Sequence, residues 1–387
     1  MGVTVARANN GSGRAGFASP SGKNAMIPTF PLCGGGKPRT TPSLVLTLAL
    51  SLTPALPTFA AEKEEKRASY PAFGAIERKD PRFDRIVPRD ATIEKLAEGF
   101  NWSEGPVWVK KGGYLLFSDV PENVVFQWKD GEKVRPYLKP SGYTGSVARG
   151  GEPGSNGLTL DSEGRLILCQ HGDRRVARLG DDGKSFVTLA DRYDGKRFNS
   201  PNDVVVKRNG DVYFTDPPYG LLGLNKDPAK ELPYNGVYRL GKDGAVTLLT
   251  KELTFPNGLA FSPDEKTLYV ANSDPDRAVW MAYPVRDDGT LDKGRLFFDA
   301  TAAAKAGKKG LPDGLKVDNA GNVFATGPGG VFVFDADGTH LGTLNTGEAN
   351  GNCAFGDDGS TLYINADMFL GRVRLATKGP IPGPAGE

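Results

Sequence analysis

The 387-residue chain balances 48 Lys+Arg against 46 Asp+Glu, a formal net charge of +2. That near-neutrality offers no electrostatic footprint for nucleic acid or an anionic membrane. With three cysteines, two histidines and neither a CxxC nor an HExxH motif, a disulfide scaffold, a zinc ribbon and a zincin are excluded.

Residues 1–60 read differently from the rest. They hold Arg7, Arg14, Lys23, Lys37 and Arg39 and no acidic residue, and an apolar run from Leu44 to Leu56 precedes Thr58-Phe59-Ala60-Ala61. A positive region, a short apolar stretch and small residues predict a secretory signal cleaved after Ala60 or Ala61, and with it a periplasmic or secreted protein. The run is too short, and too interrupted by Pro54 and Pro57, to span a bilayer, so no membrane association is expected after cleavage. Loss of this segment lowers Lys+Arg to 43 and turns the net charge to −3. Cys33 lies upstream of the cut, and Cys169 and Cys353 are expected as buried, unpaired thiols. Residues 61–90 are expected as a linker and 91–387 as the folded domain.

Within 91–387 one motif occurs six times. The segments are EGPVWVKKGGYLLFSD from Glu104, NGLTLDSEGRLILC from Asn156, NDVVVKRNGDVYFTD from Asn202, NGLAFSPDEKTLYVAN from Asn257, DGLKVDNAGNVFATG from Asp313 and NCAFGDDGSTLYIN from Asn352. Each alternates apolar and polar residues around a turn of Asp, Asn, Gly or Pro, the pattern of a β-hairpin. Second hairpins such as NVVFQWKDGEKVRPYL and GVFVFDADGTHLGTL follow most of them, giving four strands per repeat. A spacing of roughly 40–55 residues predicts an all-β, six-bladed β-propeller. ATIEKLAEGF, before the first repeat, is placed as an outer strand closing the ring against GRVRLAT; only TAAAKAGKK reads as helical, and briefly.

In a propeller the residue ahead of each innermost strand points into one shared channel. Glu104, Asn156, Asn202, Asn257, Asp313 and Asn352 hold that position, a cage of two carboxylates and four amides with no thiolate or imidazole. Hard oxygen donors with about two negative charges suit one divalent cation, Ca²⁺ first and Mg²⁺, Mn²⁺ or Zn²⁺ as alternatives. The structural reading is that Asn and Asp merely open tight turns there.

SEGPVW (Ser103–Trp108), SPND (Ser200–Asp203), PNGLAFSPDEKTLYVA (Pro256–Ala271) and PDGLKVD (Pro312–Asp318) resemble the senescence-marker-protein/gluconolactonase family, which includes regucalcin. The match runs from about Phe100 to Leu375, and SNGLTLD, FTDPPYG and TGPGGV look particularly like bacterial gluconolactonases. The resemblance implies a catalytic divalent metal held by Glu104, Asn202, Asn257 and Asp313, with Asn156 and Asn352 in the tunnel beyond ligation. It also implies Asp313 as general base. Animal lactonases of the family carry a substrate-contacting Arg two residues ahead of the first metal-binding Asn; Ser200 stands there in this chain.

The implied reaction is metal-dependent opening of a small sugar lactone to the aldonic acid. A carboxylate on a cation is a poor base, so Asp203 and Asp216 stand as alternatives to Asp313. His171, in CQHGDRR, is suited to proton shuttling, against a bland reading as a hydrogen-bonding loop histidine. Asn156, Asn202, Asp216 and Tyr219 are candidate substrate contacts; Arg174, Arg175 and His340 read as solvated surface. No GxSxG elbow is present, which excludes that serine-hydrolase arrangement. The competing readings are hydrolysis of phosphotriesters or other esters on the same site, and a non-enzymatic binding propeller with a structural metal. The sequence leaves the oligomeric state open.

Overall fold

Every repeated segment forms its hairpin in the computed structural model, which describes residues 68–384. The expected export signal and its cleavage site lie outside the described residues. Apolar side chains on alternate positions face the neighbouring blade, and the Asp, Asn and Gly turns reverse the chain. Four-stranded antiparallel blades span 103–138, 155–190, 204–250 and 256–299; blade 5 spans 315–345 and blade 6 spans 352–374.

The ring closes. Innermost strands Ser103–Val109, Ser155–Leu160, Val204–Val206, Pro256–Phe261, Leu315–Val317 and Asn352–Gly356 each touch the next, and the last touches the first. Glu94–Glu98 pairs antiparallel with Phe369–Arg374 as the outer strand of blade 6, so both ends of the domain share one sheet, as expected for ATIEKLAEGF.

The apolar core is correspondingly divided into six wedges, one at each blade interface. Leu116 and Leu168 share the wedge between blades 1 and 2, Cys169 and Phe214 that between 2 and 3, and Val237 and Leu268 that between 3 and 4. Trp280 packs on Phe332 and Phe334 between 4 and 5, Val333 lies with Ile364 between 5 and 6, and Trp108 stacks on Tyr363 between 6 and 1. Cys169 and Cys353 are buried and unpaired in these wedges.

Two expectations need correction. The stretch 61–90 is more than a linker: Ala75–Arg78 pairs with His340–Asn345 as a fifth strand of blade 5, and Phe83, Ile86 and Val87 fill the wedge between blades 5 and 6. His340 is part-buried rather than solvated; its ring stacks on Phe332 at 4.5 Å, and Nε2 lies 2.9 Å from Thr343 Oγ1. The TAAAKAGKK segment is helical over Thr301–Lys305 only.

Candidate active site

Five of the six channel residues sit where an inner strand departs from the regular ladder, while Asn352 opens its strand in register with Asn365. In blades 1, 2 and 4 the register shifts between Glu104 and Val107, Ser155 and Leu158, and Pro256 and Leu259. Such bulges re-aim a side chain out of the sheet, here Glu104, Asn156 and Asn257. In blades 3 and 5, Asn202 and Asp313 precede the paired strand, held by Asn202 N–H on Thr215 O (2.8 Å) and Asp313 N–H on Thr326 O (3.0 Å). Glycines let the strands crowd together: a Cβ on Gly105 would lie 2.0 Å from Asn156 O, and one on Gly258 would lie 2.3 Å from Asp313 O. A Cβ on Gly351 would strike Glu104 Oε1, so that glycine makes room for the carboxylate.

Five of the six residues are buried and Asp313 is part-buried, and hydrogen bonds tie most of them into the channel wall. Asn202 Nδ2 donates to Asn257 Oδ1 (2.6 Å), and Asn257 Nδ2 donates to Ser273 Oγ (3.0 Å). Glu104 Oε2 accepts from Gly105 N–H (3.0 Å). Asn352 Nδ2 donates to Asp203 Oδ2 (3.4 Å), which brings Asp203 into the same channel. Asn156 Oδ1 and Asp313 Oδ1 are buried without any hydrogen-bond partner.

The electrostatics are lopsided. Burial pushes the Glu104 carboxyl up from its ordinary range, and Asp203 and Glu152 push it further. Asp313 is raised by burial first, then by Glu104, Asp203 and Glu152. The leading charges acting on each carboxylate are thus other carboxylates, and the nearest cation to this set, Lys316, reaches Asn352 Oδ1 at 3.4 Å. Buried anions without a counter-charge are costly.

The tetrad Glu104, Asn202, Asn257 and Asp313 fits a hard divalent cation by its donors, all oxygens, and by the bare Oδ1 of Asp313. Among the described residues no three His, Cys, Asp or Glu side chains converge as a metal-holding cluster. The amides of Asn202 and Asn257 would therefore be indispensable to binding.

His171 is fully buried, with Nε2 2.9 Å from Asn202 Oδ1 and Nδ1 3.2 Å from Glu152 Oε2, outside hydrogen-bond geometry. Tyr219 stacks on Phe255 at 5.9 Å, and its hydroxyl is turned toward Ser273 and Asn257, walling the channel. Burial, then the Asp313 charge, raises that phenol well above its ordinary range.

Asp216 is not in the channel. Its carboxylate lies behind the 199–203 loop and accepts Asn199 N–H and Ser200 N–H, both at 2.8 Å. Burial holds its carboxyl up at about 7. It positions Asn202 rather than touching a ligand. Arg174, expected in solvent, is 5% exposed and clasps the same loop through Phe198 O (2.8 Å) and Asn199 O (3.1 Å). Arg175 is half-buried against Asp173.

Sequence reasoning missed Glu152, Ser273 and Arg149. Glu152 belongs to a Gly-rich insert between blades 1 and 2 with no counterpart in the other repeats, and it is the sole acid over 139–154. Arg149 ties that insert to Gly172 O (3.1 Å) and to Gly220 O.

Comparison with known proteins agrees with this architecture. The family described as SMP-30/Gluconolactonase/LRE-like region matches residues 102–367. A gluconolactonase of Zymomonas mobilis is 39% identical over 348 residues, covering 87% of this chain and 96% of that protein. The pentonolactonase XacC of Haloferax volcanii is 30% identical over 217 residues, 54% of this chain and 65% of its own length. Among solved structures, a gluconolactonase of Xanthomonas campestris superposes with a TM-score of 0.68 at 34% identity, covering 80% of this chain and 99% of that one. The chain belongs to the SMP-30/gluconolactonase/LRE-like family.

Proposed function

We propose that this protein hydrolyses a sugar lactone of the aldonolactone class, with one divalent cation, Ca²⁺ first, held by Glu104, Asn202, Asn257 and Asp313. The observation that carries the reading is the convergence of two carboxylates and two amides, with other carboxylates the leading charges acting on them, at the axis of a propeller related to gluconolactonases.

Opening a lactone requires a water oxygen to bond to the carbonyl carbon, the ring C–O bond to break, and a proton to reach the ring oxygen. A bound cation supplies positive charge that polarises the carbonyl and stabilises the oxyanion. Asp313, whose Oδ1 has no protein partner, takes the proton from the attacking water and returns it to the ring oxygen as the ring opens. Asn156, with its bare Oδ1, and Tyr219 face the substrate, while Asn202 is held by His171. Asp216 and Arg174 hold the loop that carries Asn202. Residues 1–60 are proposed to direct export to the periplasm or beyond, which N-terminal sequencing of the mature protein tests directly.

The decisive experiment combines metal analysis of the purified protein with a panel of aldonolactones. Asp313→Asn is expected to lower turnover by about 10²–10⁴-fold with the protein still folded. A wild-type protein that opens none of the panel with Ca²⁺, Mg²⁺, Mn²⁺ or Zn²⁺ would refute the reading.

A further inference from the structure

Four hydrogen bonds run without a break from His171 to the peptide ahead of blade 5, and Glu152 lies beside their near end. Glu152 Oε2 lies 3.2 Å from His171 Nδ1, and His171 Nε2 lies 2.9 Å from Asn202 Oδ1. Asn202 Nδ2 then meets Asn257 Oδ1 at 2.6 Å, and Asn257 Nδ2 meets Ser273 Oγ at 3.0 Å. Ser273 Oγ ends the chain against Pro312 O, the carbonyl of the peptide just ahead of Asp313.

The direction of this chain follows from its last link. A carbonyl oxygen only accepts, so the hydrogen between Ser273 and Pro312 must be the serine hydroxyl's own. Ser273 Oγ is then left to accept, which turns the Nδ2 of Asn257 toward it and the Oδ1 toward Asn202. The same step repeats at Asn202, whose Oδ1 is thereby aimed at His171. Two acceptors cannot face each other at hydrogen-bond distance, so His171 Nε2 carries a hydrogen.

We propose that Ser273 is a positioning residue that sets the sense of the whole chain. By donating to Pro312 O it locks the amides of Asn202 and Asn257 in one orientation and keeps a hydrogen on His171 Nε2. Nδ1 lies beside Glu152, whose side chain is 35% exposed, in a contact outside hydrogen-bond geometry that fixes no hydrogen on that nitrogen. The purpose of the chain rests on the lactonase reading, because locked amides keep their oxygens in place for ligation. Its direction does not.

The chain has only two histidines, so a His340→Gln background leaves His171 as the single imidazole in an NMR spectrum of isotope-labelled histidine. In the cation-free and the Ca²⁺-loaded protein alike, Nε2 is expected to be protonated. Ser273→Ala in that background should admit the neutral form bearing its hydrogen on Nδ1. It should also lower kcat for aldonolactone opening by roughly 10–100-fold, with KM near the parent value. Ser273→Thr, which keeps the hydroxyl, should restore both the spectrum and most of the turnover. A bare Nε2 in the parent, or a Ser273→Ala protein with the parent's spectrum, overturns the proposal. If Ser273→Ala does not fold, the parent and Ser273→Thr spectra still decide it. A parent with no lactonase activity would sink the lactonase reading and leave the spectra to judge the chain alone.

Discussion

At its outer edge blade 5 is completed by Ala75–Arg78, and the segment behind that strand buries Phe83, Ile86 and Val87 in the wedge shared with blade 6. The charges there find opposite partners: Arg78 with Asp84 at 2.7 Å, and Arg82 with Asp80 at 2.9 Å and with Asp335 at 2.7 Å. At the inner end of the same blade, Asp313 is part-buried, with a buried bare oxygen and three other carboxylates acting on it. One sheet thus joins a region whose Arg78, Arg82, Asp80, Asp84 and Asp335 are paired to one that leaves charge unmet. Locally consistent choices stabilise a fold, and their violation marks a place where something besides stability is selected.

The sharpest way to break this contrast is to neutralise the inner end. Glu104→Gln keeps the side-chain shape but removes one of the two tetrad carboxylates. Lactone turnover is expected to fall by about 10³-fold, equivalent to about 4 kcal/mol of barrier. The cation-free variant should melt higher than cation-free wild type, because a buried uncompensated charge is gone. Added Ca²⁺ should raise the melting temperature of the wild type and do little for the variant. Thermal denaturation with and without a chelator reads both effects, and a cation-free variant that melts lower would show the charge to be compensated after all.

At the outer end the opposite outcome is expected. Phe83→Ala leaves a cavity in the wedge between blades 5 and 6 and should cost about 3–5 kcal/mol of stability in urea unfolding. Turnover per folded molecule should stay at the wild-type level. A loss of kcat in the folded variant would mean that the two ends communicate.

The two ends also differ in how far they could be read from sequence. The channel residues were legible because six hairpins share one register, and a position that recurs in every repeat converges in a ring. Closure by Glu94–Glu98 was legible for the same reason, as an alternating segment left over at one end. Within 61–90 the strand Ala75–Arg78 and the anchoring Phe83, Ile86 and Val87 were not, because they carry no repeat and no periodicity. Glu152 escaped notice for a related reason: it lies in a Gly-rich insert unique to one blade boundary. Asp216 and Arg174 looked like a channel group and a surface group. Which side of the 199–203 loop each occupies depends on backbone N–H and C=O directions, which residue type does not encode.

His340 offers the smallest and most discriminating test, because it places a titratable ring in the outer region where no unmet charge is expected. It lies on the strand that pairs with Ala75–Arg78, stacked on Phe332 and hydrogen-bonded at Nε2 to Gly342 O (3.0 Å) or Thr343 Oγ1 (2.9 Å). Burial, and then the nearby Lys79, depress its pKa from 6.5 to about 4. The folded protein therefore resists protonating this ring, while the unfolded chain takes up the proton below its ordinary value. Stability from this group is complete above the unfolded pKa, declines as pH falls toward about 4, and declines no further below that. The ring is only part-buried, so the whole effect should be no more than about 2 kcal/mol. Urea unfolding of wild type and His340→Gln across this window isolates it, since the carboxylates contribute equally to both. The wild type should lose more stability than the variant as the solution is acidified. Parallel pH profiles would place the ring in solvent, and the outer end of blade 5 would then owe nothing to a buried neutral histidine.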